Sequence, residues 1–422
     1  MRTQIELAAG LALVGAAAIG LGAAPAAATD GYFLHGVGAK AKGAAGVAIA
    51  MPQDAAAIAT NPAAATALDQ QLDIGVDVFI PRRDARITGN AFGLDGEYDG
   101  NGANPFVLGD VAYVRPVSDT VSVGLVAYAN GGMNTLYERN PFGAFGATGG
   151  AGVDLKQGFI VPTVAFEVAQ GQSLGVSAIG LIQSFRAVGI QPLAQFSQEP
   201  DNFTNRGNDW SLGAGVKVGY LGNFGDRVSV GAFYQSKIYA QKLDKYAGLF
   251  ANGGEFDVPS SWGAGVSAEL ADGLTLGLDY KRIEYSDVES VGNPLSRTEA
   301  GVPFGAEDGP GFGWRDISVV KAGAVWDASD DVTLRAGYGR SENPVPASET
   351  LVNILAPGVV QDHFTLGATW RLSETIDVTT HALVAPRNEV EGAGSIPPSL
   401  GGGEADIGLS EVSFGLAVGW KF

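Results

Sequence analysis

The 422-residue chain contains no cysteine and only three histidines and three methionines. Without thiols there are no disulfides, thiolate metal sites or cysteine nucleophiles. The histidines, His35, His363 and His381, form no HExxH pattern and stand at no ligand spacing. Charge is scarce too. Asp, Glu, Lys and Arg make up 17% of residues, where soluble domains carry about 25%. The charge that is there is mostly of one sign, 45 acids against 26 bases for a net of -19. Such acidity repels phosphate and argues against nucleic acid as a partner. Gly36-Val37-Gly38-Ala39-Lys40-Ala41 has the outline of a dinucleotide loop, but no strand precedes it and no βαβ unit follows. Asp95, Glu97, Asp99 and Gly100 begin like a calcium loop, yet its twelfth position is Phe106 and not Glu. There is no GxSxG element. We therefore expect no catalytic residue, no cofactor and no metal, and a protein that is not an enzyme.

Long apolar runs are missing after the first segment. Residues 1–28 read as a secretory signal, with Arg2 ahead of an apolar stretch from Ile5 to Leu21 and Ala26-Ala27-Ala28 as the cleavage site. The expected mature start is Thr29. Beyond it no run of 18 apolar residues occurs, so no membrane helix is expected. An apolar, exported chain without a spanning helix is either soluble outside the cytoplasm or crosses the outer membrane as a closed sheet.

What the sequence has in quantity is glycine, 62 residues, and a period of two. In 412–422, Val412, Phe414, Leu416, Val418, Trp420 and Phe422 share one face, and Ser413, Gly415, Ala417, Gly419 and Lys421 the other. Leu274–Lys281, Phe364–Leu372 and Leu212–Tyr220 repeat the pattern. Runs of about ten such residues suit a tilted strand with lipid on one side and a lumen on the other. Strands are predicted at 72–80, 107–117, 121–130, 157–168, 172–185, 208–220, 226–240, 259–270, 273–286, 313–327, 331–340, 360–372, 375–386 and 408–422. Short turns such as Ala271-Asp272-Gly273 alternate with long loops, as in outer-membrane barrels. Tyr220, Tyr280, Trp326, Tyr338 and Trp370 fall near strand ends, where an interfacial girdle belongs. The expected fold is all-β, a transmembrane antiparallel barrel of about 14 strands over 72–422.

Residues 29–71 are different. They are Gly- and Ala-rich, lack the period of two, and contain Asn61-Pro62, which ends any helix before it. A lumen this wide cannot be filled by the wall's own side chains, so the segment is expected to plug it; a disordered periplasmic tail is the alternative.

Three stretches carry a resemblance. GYFLHGVGAKAKGAAGVAIAMPQDAAAIATNPAA, with Asn61, Pro62 and Ala63 as an NPA motif, is similar to the N-terminal hatch of the FadL/TodX (OMPP1) family of outer-membrane transporters. GFGWRDISVVKAGAVWDASDDVTLRAGYGRSENPVP resembles the family's paired strands and Ser-Pro-Val loop, with Asn343-Pro344-Val345 as a departure, and NILAPGVVQDHFTLGATWRLS resembles the strand that follows. The terminal Phe422 resembles the signal read by the barrel-assembly machinery.

The resemblance implies passive uptake of hydrophobic compounds, most of all long-chain fatty acids, in a monomer surrounded by outer-membrane lipid and lipopolysaccharide. Ligand would be caught between external loops, pass to an interior pocket, and leave sideways at a kinked third strand. By position, the capture groove would use Phe142, Phe145, Leu193 and Phe196, and a carboxylate would meet Arg186 or Arg315. Gly124, Asn130, Gly131 and Gly132 are the kink candidates, since glycine in a strand marks a bend. The alternatives are aromatic hydrocarbon uptake, an adhesin or general porin, and an outer-membrane lipase.

Overall fold

A computed structural model describes residues 30–130 and 132–422; the expected signal at 1–28 and the kink candidate Gly131 lie outside the described residues. Fourteen strands form one closed antiparallel wall. They are β1 (Gln71–Thr88), β2 (Phe106–Ser118), β3 (Val121–Asn130), β4 (Gly152–Ala169), β5 (Gln172–Val188), β6 (Asp209–Phe224), β7 (Val228–Gln235), β8 (Ser261–Ala271), β9 (Leu274–Ile283), β10 (Ile317–Ser329), β11 (Val332–Ser341), β12 (Asp362–Arg371), β13 (Ile376–Val390) and β14 (Glu404–Lys421). Closure comes from β1 pairing with β14 over its whole length, Gln71 opposite Lys421 through Thr88 opposite Glu404. A closed wall leaves no edge, which is what a sheet in lipid requires. Each predicted strand has its counterpart in the wall.

The period of two has the expected cause. Val76, Val78, Leu276, Leu278, Phe364, Leu366, Phe414 and Leu416 point outward and are well exposed. Trp326, Trp370, Tyr280 and Tyr338 are outward too, near the two ends of their strands. Several strands outrun the predicted membrane segment. β1 continues to Thr88 and β14 begins at Glu404. In these extensions the outward side chains change from apolar to charged. Arg387 pairs with Asp84 at 2.6 Å, and Arg86 with Asp406 at 3.1 Å. A lipid-facing pattern cannot predict strand that stands above the lipid.

The inward face is more closely fitted than its composition indicates. Its glycines, serines and threonines are read above only as small polar lumen lining. They form a socket for residues 30–70, which are nearly all buried inside the wall. This inner segment holds a short helix α1 (Ala39–Gly43) and two 3-10 turns, Ala55–Ala59 and Pro62–Ala67. Asp54 caps the first turn and Asn61 the second by accepting from Ala56 N and Ala63 N. At Gly337 a Cβ would stand 2.4 Å from the backbone nitrogen of Ala45, and at Gly219 it would stand 2.1 Å from Asn61 Oδ1. Only glycine admits backbone this close.

Candidate functional site

The inner segment is tied to the wall by polar bonds that its own backbone needs. Short 3-10 turns leave amides without internal partners, and inward carboxylates and hydroxyls supply them. Asp279 accepts from Ala48 N and Ile49 N, at 2.9 and 3.0 Å. Asp73 accepts from Ala55 N at 2.9 Å, and Thr365 Oγ1 from Ala45 N at 2.8 Å. Buried lysines of the segment pair with acids of the wall, Lys40 with Asp377 at 2.9 Å and Lys42 with Asp77. In return, Lys321 of β10 reaches Asp30 at 2.9 Å. Asn61 is fully buried; its amide donates to Ile49 O at 2.8 Å and to Tyr220 O at 2.9 Å. One side chain therefore caps a turn, closes a loop of the segment and docks it on β6. Pro62 and Ala63 follow in that turn and pack on the glycine faces of β5 and β6.

The external loops carry an apolar core of their own. Phe142 and Leu193 are buried in it, and Phe145 and Phe196 pack on its flank. Phe145 meets Phe92 edge to face, ring centres 6.2 Å apart. The same core runs inward as a ladder of rings. Phe185 to Phe250 is 4.7 Å, Phe250 to Phe256 4.8 Å, Phe256 to Tyr32 6.4 Å and Tyr32 to Phe33 5.3 Å. Tyr285 and Trp314 brace it from the side. The Tyr285 hydroxyl donates to Asp30 O and accepts from Tyr32 N, and burial holds this phenol well above its ordinary pKa. The four loop residues named from sequence thus share one cluster with the ladder.

At its inner end the ladder meets a cavity of about 80 Å³. Phe33, Tyr128, Phe159 and Phe233 give it apolar walls, and Lys217, Lys281 and Lys321 face it against a single aspartate, Asp279. Lys217 is committed to Ala59 O and lies over Phe233. Lys321 is committed to Asp30 and His35 O. Lys281 sits 4.8 Å above the Phe33 ring and, among the described residues, has no carboxylate or carbonyl partner. Arg186 and Arg315, the cations expected from sequence, do not line the cavity. Arg186 has the outward parity of β5 and lies 4.0 Å from Asp154, and Arg315 is exposed. No spacing rule identifies Lys281 in their place. The available signal is parity, since it is inward on β9 with Asp279, Gly277 and Ile283.

The wall is irregular at the third strand. β3 pairs with β2 from Val121 only as far as Tyr128, opposite Asp110. β2 continues from Gly109 back to Phe106 and pairs there with β1 alone. Beyond Tyr128 the chain stays with β4, through Asn130 opposite Gln157 and Asn134 opposite Asp154. Asn130 donates to Gln157 at 3.0 Å and accepts from Leu34 N at 3.3 Å, so it bonds to the inner segment and not to β2. Gly124 is not part of this departure. It pairs with Val114 on one side and Thr163 on the other, and a Cβ there would meet Ile58 at 2.7 Å. Gly132 lies just past the departure and lines a small space beside Trp314. At the seam a pocket of about 170 Å³ opens among Gly109, Ala127, Ala129 and Ile160. Tyr128 and Phe159, tilted rings with centres 5.2 Å apart, line both this wall pocket and the interior cavity.

One further cluster escaped the spacing search. His35 of the inner segment and His363 of β12 lie with ring centres 4.8 Å apart, close to Asp30. They stand 328 positions apart in sequence, so no local motif could pair them.

The chain's relatives share this architecture. The family profile described as "Outer membrane protein transport protein (OMPP1/FadL/TodX)" matches residues 17–396. A "47 kDa outer membrane protein" of Pasteurella multocida is 24% identical over 360 residues, 78% of this chain and 80% of that one. Among solved structures, the toluene transporter TodX of Pseudomonas putida aligns with a TM-score of 0.67 at 17% identity, over 92% of this chain and 99% of that one. A FadL homologue of Pseudomonas aeruginosa aligns with a TM-score of 0.68 at 18% identity, over 93% and 100%. With the profile covering most of the chain, this protein belongs to the OMPP1/FadL/TodX family of outer membrane transport proteins, and it is a transporter and not an enzyme.

Proposed function

We propose that the protein takes up hydrophobic compounds passively, with long-chain fatty acids as its main cargo. The observation that carries this reading is continuity. Apolar rings run from the external loops to an interior cavity, and the Tyr128–Phe159 pair then leads from that cavity to the unpaired seam between β2 and β3. Each methylene kept out of water is worth about 0.8 kcal/mol, so an aliphatic chain favours this route over an aqueous bore. The inner segment acts as a hatch. An 80 Å³ cavity is too small for a fatty acid, so the ring pair and the segment must shift as cargo passes. Leaving through the seam delivers cargo into lipid without exposure to periplasmic water. Lys281 supplies the charge for a carboxylate head group, in place of Arg186 or Arg315.

A second cargo is favoured by a specific magnitude. A monoaromatic ring fits an apolar cavity of about 150 Å³, and the wall pocket measures about 170 Å³. Several solved relatives carry toluene or monoaromatic hydrocarbons in their names. The deciding experiment is uptake of labelled oleate and labelled toluene by a host lacking its own long-chain transporter, with the wild type and with Lys281→Met. Oleate uptake that falls in the variant while toluene is unchanged supports the fatty-acid reading. Toluene uptake alone, indifferent to the variant, moves the cargo to hydrocarbons. Uptake of neither by a correctly inserted barrel refutes transport of both classes.

A further inference from the structure

We propose that Asp30, His35 and His363 form a binding site for one divalent transition-metal ion, which ties the inner segment to the barrel wall. All three are buried, at 0%, 4% and 0% exposure. One ligand atom from each lies within 4.8 Å of the others. Neither nitrogen of His35 has a hydrogen-bond partner, nor has Asp30 Oδ1, and the His363 ring has only the backbone of Gln361 beside one nitrogen. A neutral imidazole buried in a protein normally donates through one nitrogen and accepts through the other. Two such rings converge here on a free carboxylate oxygen, bringing together two nitrogen lone pairs and one oxygen lone pair. A metal ion satisfies that set directly.

The donor types narrow the ion. Two imidazoles and one carboxylate suit Zn²⁺, Co²⁺, Ni²⁺ or Cu²⁺, whereas Mg²⁺ and Ca²⁺ prefer oxygen alone. An ion held at about 2.1 Å by three tetrahedral ligands places them roughly 3.4 Å apart. The set therefore closes with rotamer adjustments of little more than an ångström. The wall leaves room for this, because Gly339 of β11 faces the His35 ring with only hydrogen in place of a side chain. His35 also lines the interior cavity. Lys321 is the opposing feature. Its ammonium holds Asp30 Oδ2 at 2.9 Å, leaving Oδ1 for the ion, but its charge weakens cation binding. Micromolar affinity is therefore expected and not the tighter range of closed structural zinc sites.

Two ligands come from the inner segment and one from β12, so an ion here would fasten the segment to the wall. Metal binding is measured without cargo, so this inference stands or falls apart from the transport reading. The test is calorimetry on tag-free, detergent-solubilised protein with Zn²⁺, Ni²⁺ and Mg²⁺. The chain has three histidines and no cysteine, so imidazole binding is easily assigned. We expect one Zn²⁺ or Ni²⁺ per chain and no Mg²⁺. Affinity should fall at least tenfold in His35→Gln and in His363→Gln, and hold in His381→Gln. Electrophoresis of unheated samples checks that each barrel is folded. Should either cluster variant fail to fold, Cu²⁺ paramagnetic resonance of the wild type decides, with two equatorial nitrogens expected. No saturable binding, binding unchanged in a folded His363→Gln variant, or a Cu²⁺ spectrum without nitrogen coupling would each overturn the site.

Discussion

Two stretches of the same wall treat the inner segment in opposite ways. Along β9 to β12 the strands are fully paired, and inward glycines press on the backbone of residues 43–47. Thr365 both donates to Gly43 O and accepts from Ala45 N. Along β2 to β4 the pairing stops at Tyr128, and the segment is met by Asn130 and by a tilted pair of rings. One side is built from backbone contact, which has no slack. The other is built from side chains, which can change rotamer. The difference implies a segment hinged on the far wall that uncovers a window on the near one.

The hardest blow to that contrast is Gly337→Leu. Its Cβ alone would lie 2.4 Å from Ala45 N, and overpacking costs about 1–3 kcal/mol even where relaxation is possible. Here the collision is with backbone, so the segment should leave its seat. Ion conductance in planar bilayers should rise from nearly closed to a steady open level. The corresponding near-wall change, Gly124→Ala, meets the inner segment only at the flexible tip of Ile58, its other close neighbours being Tyr113 O and Val114 of the wall, and should leave conductance low.

Asn61→Ala comes next. It removes a turn cap and two buried donated bonds, together about 2–4 kcal/mol. The segment should stay seated but loosen, giving brief openings in conductance records and an earlier first step in thermal unfolding. A record identical to the wild type would mean that β9 to β12 alone hold the segment.

The smallest effect is expected at Lys281→Met. With no acceptor to abandon, the change should leave folding intact. Apparent affinity for oleate should drop about tenfold, the loss of one charge-assisted hydrogen bond of about 1.4 kcal/mol. Affinity for a neutral alcohol of the same chain length should not move.

Much of this was legible in the sequence, for identifiable reasons. Outward residues such as Leu276, Leu278, Phe414 and Leu416 face only lipid, so their alternation depends on nothing else in the molecule. The strand count and the membrane segments follow from that. The inward face depends on what it meets. Gly219 and Gly337 read as lumen lining because nothing local shows that Asn61 or Ala45 will lie against them. The asparagine of the NPA motif was visible as a motif, while its bonds to Ile49 and Tyr220 needed the fold. Arg186 illustrates a different failure. It lies in the part of β5 beyond the lipid, where the apolar alternation that assigns faces has ended. His35 and His363 were dismissed on spacing, a test blind to residues joined across the barrel.

We propose that cargo leaves sideways at the β2–β3 seam. Gly109 and Ala129 would be the next opposed pair after Asp110 and Tyr128, and the cysteine-free background makes a cross-link there unambiguous. Residues opposed in a paired ladder lie within the span of a disulfide, so forming this bond draws the open seam to ladder spacing. The decisive measurement is labelled oleate uptake by Gly109→Cys/Ala129→Cys, oxidised and then reduced, beside Ala336→Cys/Leu366→Cys in the regular β11–β12 pairing. Oxidation should lower uptake at least tenfold in the seam variant, reduction should restore it, and the control should transport normally throughout. Undiminished uptake with the seam fully cross-linked would rule out exit there.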